Sequence, residues 1–485
     1  MIKKLNSIQI TLKDILKNKN ADEYIYGLPI FFIQKGHNEY LKPFLEYLTI
    51  KNNIQTYESY FAKFIKYFRI LFLIKKNNIK KNIVHKNYDI FLISNIISES
   101  QAKNDYIFGR LSECLNSENI KTLTIYKNFT SNNFYKTKLY FKQPYIILSK
   151  SVSFIKEISF IFGIISSYRS LIKLRTTVKN KQSVNFIKYS IKLKYLTPII
   201  SNLRLSYQII SLVKKYNPKV IIFPFENHAW ERFLINKLKK LDTKIVTAGY
   251  QFSTFSKNQF SNNSVLKKNF NPDFVLASGI STYNYLNKVF RKKIKLINFG
   301  SHKYFEKPHH KKNFKNFNFL MVPEAPLSEV YEFLKMGQEL AKVYPKFNFV
   351  LRLHPMSKSQ KLIDSITEDI KKYKNLKLSK NKLEKDFLNC SYILYRSSSL
   401  CISGSIKGLL PIYVENNGFS IDPFFEINKN FSIKSPNELQ KIMVTSGLKK
   451  NMYLNKVRNY SLNYFQKKSK KEIIKLFNYF NNTVI

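Results

Sequence analysis

The chain has 485 residues, which excludes a single small module, because one hydrophobic core stops growing at about 250–300 residues. Lys and Arg number 82 against 31 Asp and Glu, a formal net charge of +51. The basic residues are scattered among Asn and Ile rather than gathered into one basic arm, and no nucleic-acid-binding motif is present. This pattern disfavours nucleic acid as a partner and favours an anionic membrane surface.

The cysteines and the apolar runs indicate the compartment. Cys114, Cys390 and Cys401 have neither paired nor metal-ligand spacing, so they are predicted to be free thiols in a reducing compartment, and no metal or cofactor is expected. The basic N-terminus lacks the apolar core of a signal peptide. No apolar run reaches the ~18 residues of a membrane span. The runs 67–74 and 158–166 are either buried helix faces or segments at a membrane interface.

Residues 1–85 form the first predicted unit. They are rich in aromatic residues and Lys, with helical periodicity, and predict a helical N-terminal region of unassigned role. Strands and helices then alternate over 86–300, with a mostly helical stretch from about 130 to 215. Alternation of this kind predicts a Rossmann-like parallel-sheet domain. Its predicted strands are 88–94, 121–126, 220–225, 244–249, 273–279 and 293–300.

The apolar pattern is lost between Gly300 and Lys315, which predicts a linker. A second alternating set then predicts another Rossmann-like domain over 301–465, followed by a closing helix over 466–485. Its predicted strands are 318–322, 347–353, 392–395 and 411–414, with helices including 328–343, 403–409 and 453–480. The predicted fold is therefore α/β, with two parallel-sheet domains facing each other across a cleft.

Polar side chains follow two strands of the second domain at the points where the strands end. Because ligands of open α/β sheets bind beyond the carboxyl ends of the strands, these side chains predict a pocket for a phosphate or diphosphate. The alternatives are an ordinary strand end for the first group and a turn or helix cap for the serines. The predicted contacts are Arg352, His354, Arg396, Ser397, Ser398 and Ser399.

Carboxylates follow strands in both domains. Glu226 and His228 come after the strand 220–225, which places Glu226 on the opposite wall of the cleft as a candidate general base. The alternative is a helix start, where Glu is favoured by the helix dipole. Glu324 ends the first strand of the second domain and is a further catalytic candidate, while Gln251 follows the strand 244–249 and is predicted to line the cleft.

At these residues the chain resembles bacterial surface-carbohydrate-biosynthesis glycosyltransferases of the two-domain GT-B type, over about 88–465. The resemblance lies in four patterns: 225–232, 249–251, 322–324 with Ser328 and Glu329, and 352–355 with the serine run. The His-Pro and Ser-Ser motifs are also similar to those of bacterial sialyltransferases and Kdo transferases. The resemblance implies that the His and Ser contact the nucleotide and its phosphate, and that the reaction is metal-independent. The acidic motif that supplies the base in sialyltransferases is absent.

The resulting expectation is a cytoplasmic glycosyltransferase, peripheral to the inner membrane. It would move a sugar, sialic acid-like or Kdo-like, from a nucleotide-sugar donor to a surface polysaccharide or lipid-linked glycan, as in capsule or lipopolysaccharide synthesis. A polyol-phosphate transferase or a nucleotide-sugar epimerase of similar fold is the alternative enzyme. A basic nucleic-acid-binding or membrane-tethering protein is the alternative without catalysis.

Overall fold

A computed structural model of the chain describes twelve segments. They are 80–96, 105–129, 141–149, 151–177, 196–226, 228–241, 244–255, 268–303, 314–357, 359–415, 422–427 and 431–483. Residues 1–79 of the helical region predicted over 1–85 therefore lie outside the described residues. The apolar run 67–74 is part of this stretch. Most of the predicted linker, 304–313, lies outside the described residues as well.

The first domain is built on an eight-stranded sheet. Its strands are β1 Lys80–Asn82, β2 Ile90–Ile96, β3 Thr122–Asn128, β4 Tyr145–Ile147, β5 Val220–Pro224, β6 Val246–Tyr250, β7 Phe274–Ala277 and β8 Lys295–Asn298. The order is β1-β4-β3-β2-β5-β6-β7-β8, with β1 antiparallel to β4 and the other described pairs parallel. The central strands are continuous apolar runs because helices cover both faces of the sheet.

The helices of the first domain pack mainly on one face of this sheet. They are α1 Leu111–Asn116, α2 Phe154–Thr177, α3 Leu196–Tyr216, α4 Ala229–Lys240 and α5 Ile280–Phe290. The helices α3, α4 and α5 pack against the same face through residues that include Val213, Leu234 and Leu286, respectively. The short helix α1 lies on the other face through Leu111 and Leu115.

The second domain is built on a six-stranded sheet in which all described pairs are parallel. Its strands are β9 Asn318–Val322, β10 Asn348–Leu351, β11 Leu376–Leu378, β12 Tyr392–Tyr395, β13 Leu410–Val414 and β14 Ser432–Ile433, in the order β11-β10-β9-β12-β13-β14. Stacked rings of Phe349, Phe319 and Tyr392 occupy paired positions of β10, β9 and β12. Cross-strand aromatic contacts of this kind help to fix the register.

The helices of the second half of the chain pack around this sheet, except the last one, which packs on the first sheet. They are α6 Leu327–Val343, α7 Gln360–Ile370, α8 Leu383–Asn389, α9 Leu400–Ile406, α10 Leu439–Met443, α11 Gly447–Tyr464 and α12 Lys470–Thr483. The chain crosses back after α11, and α12 packs on the first sheet through Phe477 and Phe480 beside Phe274. Both faces of the first sheet are thereby covered.

The crossing is tightly packed against the first domain. A Cβ atom on Gly279 would lie 2.3 Å from the Asn463 carbonyl oxygen and 2.7 Å from the Tyr464 carbonyl oxygen. Gly300 has a φ of +86°, and a Cβ atom there would lie 2.9 Å from the Gln466 carbonyl oxygen. Backbone therefore lies directly on backbone at this junction, an approach that only glycine permits.

The predicted fold class, two Rossmann-like α/β domains built on parallel sheets, is confirmed. One expectation about a helix is wrong. The single helix expected over 453–480 is two helices, because the chain crosses between domains after Tyr464. The helix expected after the serine run is present and spans Leu400–Ile406, directly after Ser399. No described helix is both long and apolar enough to cross a membrane.

Candidate active site

The predicted donor residues follow three neighbouring strands. In the second sheet β9 lies between β10 and β12, and Leu351 and Tyr395 pair with Met321 and Val322 of β9. The three strands therefore end at one level, about 5 Å apart from neighbour to neighbour. His354, Glu324 and the serine run 397–399 follow these ends, so the structure brings the three segments to the same edge of the sheet.

Hydrogen bonds join the first two of these segments. The Ser357 hydroxyl, in the turn that follows His354, donates to the Ala325 carbonyl oxygen at 2.6 Å. The Glu324 N–H donates to the Glu329 carboxylate of α6 at 3.0 Å, and the Glu324 side chain is half-buried. Glu329 thus holds the backbone of the segment before α6, which keeps Glu324 at the carboxyl edge of the sheet.

The serines differ in exposure. Ser397 and Ser398 are buried, and Ser399 is half-buried at the residue that precedes α9. The Ser398 hydroxyl accepts a hydrogen bond from the Leu400 N–H at 3.5 Å, which helps to cap the helix. Of the three hydroxyls, that of Ser399 is therefore the most accessible to a ligand. A contact between any of them and a donor phosphate stays a prediction.

Both predicted arginines have contacts within the second domain. The Arg352 guanidinium donates to the buried Asp386 carboxylate at 2.6 Å and to the Asn381 carbonyl oxygen at 3.0 Å. The buried Arg396 pairs with Glu332 of α6 and lies over the Phe333 ring. These contacts account for both side chains structurally, and their part in substrate binding stays a prediction.

In the first domain, a carboxylate and a histidine meet just beyond β5. Glu226 Oε2 and His228 Nε2 are 2.7 Å apart, and both side chains are half-buried. The Glu226 N–H donates to the Glu231 carboxylate of α4 at 3.4 Å. Glu231 thus holds the backbone of the segment before α4, while the Glu226 side chain interacts with His228 at the strand end.

A half-buried lysine completes this group. Lys127, near the end of β3, places its ammonium 4.3 Å from the centre of the Trp230 ring. Burial, reinforced by the Glu226 carboxylate, raises the pKa of the fully buried Glu231 to about 8. Burial lowers the pKa of Lys127 to about 8, although the carboxylates of Glu231 and Glu226 oppose the shift. At neutral pH Glu231 is therefore mostly protonated and Lys127 mostly charged.

Gln251, predicted to line the cleft, is fully buried. Its side-chain oxygen accepts from the Ser278 hydroxyl at 3.0 Å, and its side-chain nitrogen donates to the Ser253 carbonyl oxygen. The amide thus ties the end of β6 to the end of β7. A contact between Gln251 and a substrate stays a prediction.

The carboxyl ends of the two sheets meet. The Thr254 hydroxyl, in the segment after β6, donates to the Ser397 carbonyl oxygen, after β12, at 3.4 Å. Beside it, the Phe255 N–H donates to the Tyr464 hydroxyl at 2.8 Å. Glu226 follows β5, the strand next to β6. Candidate residues of both domains therefore lie on either side of one junction.

Within the described residues, no three or more His, Cys, Asp or Glu side chains are grouped so that they could hold a metal ion. In the first domain the titratable groups Lys127, Glu226, His228 and Glu231 interact with one another through hydrogen bonds and charge. Clusters of this kind with shifted pKa values are typical of groups that transfer protons.

Comparison with known proteins gives structural neighbours only. No protein-family model and no curated protein matches the chain. The UDP-GlcNAc 2-epimerase of Methanocaldococcus jannaschii matches with 13% identity and a TM-score of 0.41, over 80% of this chain and 99% of that one. MurG of Acinetobacter baumannii matches with 10% identity and a TM-score of 0.45, over 81% and 99%. A glycosyltransferase of Rickettsia africae matches with 14% identity and a TM-score of 0.45, over 82% and 99%. At such values the likeness says nothing about the activity or substrates of this chain.

Sequence reasoning missed two residues of this junction. Lys127 is a cation near the end of the apolar strand β3. Arg352 was identified because it follows an apolar strand in the same way, so this pattern could also have identified Lys127. Thr254 lies in a polar segment with no pattern of its own, and only the folded chain shows that it contacts Ser397.

Proposed function

We propose that the chain is a glycosyltransferase that moves a sugar from a nucleotide-sugar donor to a glycan acceptor. The observation that carries the proposal is the contact between Thr254 and Ser397, which joins the carboxyl edges of two parallel sheets. Ligands of such sheets bind beyond the carboxyl ends of the strands. A donor bound by one domain would therefore face an acceptor bound by the other.

The second domain is the proposed donor side. His354 and Ser399 would donate hydrogen bonds to the phosphate oxygens, and Glu324, on the strand between theirs, would accept one from a donor hydroxyl. As the bond to the sugar breaks, negative charge develops on the leaving phosphate, and fixed donors stabilise it there. In this proposal these side chains act without a metal ion.

The first domain is the proposed acceptor side, with Glu226 as general base. Two carboxyl groups that lie close together in a partly dry site rarely both ionise. Because Glu231 keeps its proton to about pH 8, Glu226 is the carboxylate available to take a proton from an acceptor hydroxyl. His228, 2.7 Å away, orients that carboxylate.

The donor and acceptor classes follow from the resemblance of the His-Pro and Ser-Ser segments. Sialic acid-like and Kdo-like donors are the first to test, and the acceptor would be a surface polysaccharide or a lipid-linked glycan. Such an acceptor is made at the cytoplasmic face of the inner membrane, so the proposal places the enzyme there as a peripheral protein.

A thermal-shift screen of CMP-, UDP-, GDP- and CDP-linked sugars tests the donor side. One donor should raise the melting temperature of the wild type, because a ligand that binds only the folded state stabilises it. The shift should be lost in His354→Ala and kept in His85→Ala, a histidine of the first domain that packs on Tyr88. A wild type that no nucleotide stabilises would overturn the donor site.

Product analysis with the stabilising donor then tests the reaction. Glu226→Gln should bind the donor like the wild type and lose roughly 10²–10⁴-fold in transfer rate, the usual contribution of a general base. An epimerised donor sugar formed without acceptor would identify an epimerase, and transfer of a polyol phosphate would identify the other alternative. Either product would refute the proposed function.

A further inference from the structure

The outer face of α2 exposes large apolar side chains. Phe154 is 55% exposed, Ile155 80% and Phe162 64%. Ile155, Phe162 and the exposed Arg169 follow one another at intervals of two helical turns, so they form one stripe along the helix. We call the stripe of Ile155, Phe162 and Arg169, together with Phe154 at its start, the α2 outer face. Its first half is apolar and its second half is basic.

The opposite side of α2 is fixed to the domain, so the helix cannot rotate to bury this face. The buried Glu157 carboxylate pairs with Arg204 of α3 at 2.6 Å. The Phe160 and Tyr207 rings make an edge contact with their centres 6.0 Å apart. Breaking a buried ion pair is costly, and the exposure of the outer face is therefore a stable feature of the fold.

The α2 outer face stands beside the proposed acceptor side. β4 is parallel to β3, so α2 begins at the same carboxyl edge as Lys127. The residue next to Tyr207, Ser206, donates its hydroxyl to the Trp230 carbonyl oxygen at 3.5 Å. The Trp230 ring lies under Lys127, 4.3 Å from its ammonium. One helix, α3, therefore separates the α2 outer face from the Glu226 group.

We propose that the α2 outer face docks the first domain on an anionic lipid bilayer. Ile155 and Phe162 would enter the headgroup region while Arg169 contacts anionic headgroups, the arrangement of helices that lie in a membrane interface. The formal net charge of +51 adds a general attraction to the same surface. The docking gives a surface to the peripheral membrane placement in the proposed function, and it can be tested without a donor or an acceptor. Its consequence, delivery of a lipid-linked acceptor to Glu226, rests on that function.

A second exposed apolar stripe provides a matched control. Val444, directly after α10, and Leu448 and Met452 of α11 are 72%, 72% and 64% exposed and lie four residues apart in the chain. Leu448 lies 16 positions before Tyr464, which is about 24 Å along the helix. Because Tyr464 contacts the first domain, this stripe is at the far end of the second domain and has no place in the proposed docking.

Vesicle sedimentation of the full-length protein tests the proposal. The wild type should bind vesicles of phosphatidylcholine with phosphatidylglycerol, and bind vesicles of phosphatidylcholine alone far less. The double variant Ile155→Ser/Phe162→Ser should partition at least about tenfold less, because most of the inserted apolar area is lost. Arg169→Gln should lower binding about fivefold, and less so at high salt. The control Val444→Ser/Leu448→Ser should bind like the wild type.

Three outcomes would overturn the docking surface. The first is that the folded Ile155→Ser/Phe162→Ser variant binds vesicles as the wild type does. The second is that the control variant loses binding instead. The third is that the wild type binds no vesicles and forms a dimer that Ile155→Ser/Phe162→Ser abolishes. Circular dichroism and thermal melts of both variants would check that they fold. No donor takes part in this assay and no vesicle in the thermal-shift screen, so failure of docking and failure of the proposed function are distinguishable.

Discussion

Replacing Glu231 with Gln tests whether a protonated carboxyl lies beside the proposed base. Gln has the shape of a protonated Glu and keeps an oxygen that accepts from the Glu226 N–H. Glu231 is fully buried, and burial together with the Glu226 carboxylate raises its pKa from 4.5 to about 8. The folded chain therefore holds this proton in a pH range where the unfolded chain has lost it.

The sign and size of the effect follow from this proton. A raised folded-state pKa stabilises the protein fully below pH 4.5, and that stability is lost as the pH rises towards 8. The loss is about 1.4 kcal/mol per pH unit, or about 3 kcal/mol between pH 4.5 and pH 7. Glu231→Gln carries no titrating group, so its stability relative to the wild type should increase by about that amount.

Urea denaturation followed by circular dichroism between pH 5 and pH 8 measures the difference. Glu113→Gln is the control, because Glu113 pairs with Arg110, which lowers the pKa of Glu113 below 4.5. Glu113 is therefore ionised in the folded and the unfolded chain throughout this range, and the stability difference between that variant and the wild type should be the same from pH 5 to pH 8. If the difference in stability between Glu231→Gln and the wild type is the same at every pH, Glu231 is not protonated. The assignment of Glu226 as the ionised member of the Glu226 and Glu231 pair would then be wrong.

Two further substitutions test the packing that holds the domains. Gly279→Ala should lower the free energy of unfolding by about 2 kcal/mol or more, since its Cβ would lie 2.3 Å from the Asn463 carbonyl oxygen. Gly447→Ala is the control, because no atom lies within 4 Å of its Cβ. It should leave the thermal melt unchanged. Arg352→Ala should cost about 3 kcal/mol because it leaves the buried Asp386 carboxylate without its cation. A melting temperature equal to that of the wild type would refute either argument.

The sheets could be predicted from the sequence because their central strands are continuous apolar runs. The run 318–322 predicts β9 with its observed bounds, and 392–395 does the same for β12. The edge strands β1, β11 and β14, and β4 beside β1, have three residues or fewer. Runs this short give no periodicity, so only pairing with a neighbour defines them.

The candidate site could be predicted in part. Parallel strands end at one edge, so a polar residue after an apolar run is correctly placed at that edge, as for His354 and Glu226. What the sequence could not show is the partner of each side chain. Arg352 and His354 have the same parity, yet the Arg352 guanidinium binds Asp386, a residue of α8. Such pairings depend on tertiary contacts between segments far apart in the chain.

The crossing of the chain after α11 was also beyond sequence reasoning. Residues 453–480 have one helical pattern, and the break after Tyr464 arises because this segment lies against Gly279 and Gly300 of the first domain. The same crossing positions Tyr464 beside Thr254 and Phe255. A local pattern cannot predict a break that another domain imposes.

A crystal structure of the protein grown with the nucleoside diphosphate or monophosphate that stabilises it most tests the central claim directly. The account predicts phosphate density at the carboxyl edge of the six-stranded sheet, within hydrogen-bond reach of His354 and Ser399 and facing Glu226 across the junction. Phosphate density at the opposite edge of that sheet, or scattered over surface lysines alone, would contradict it.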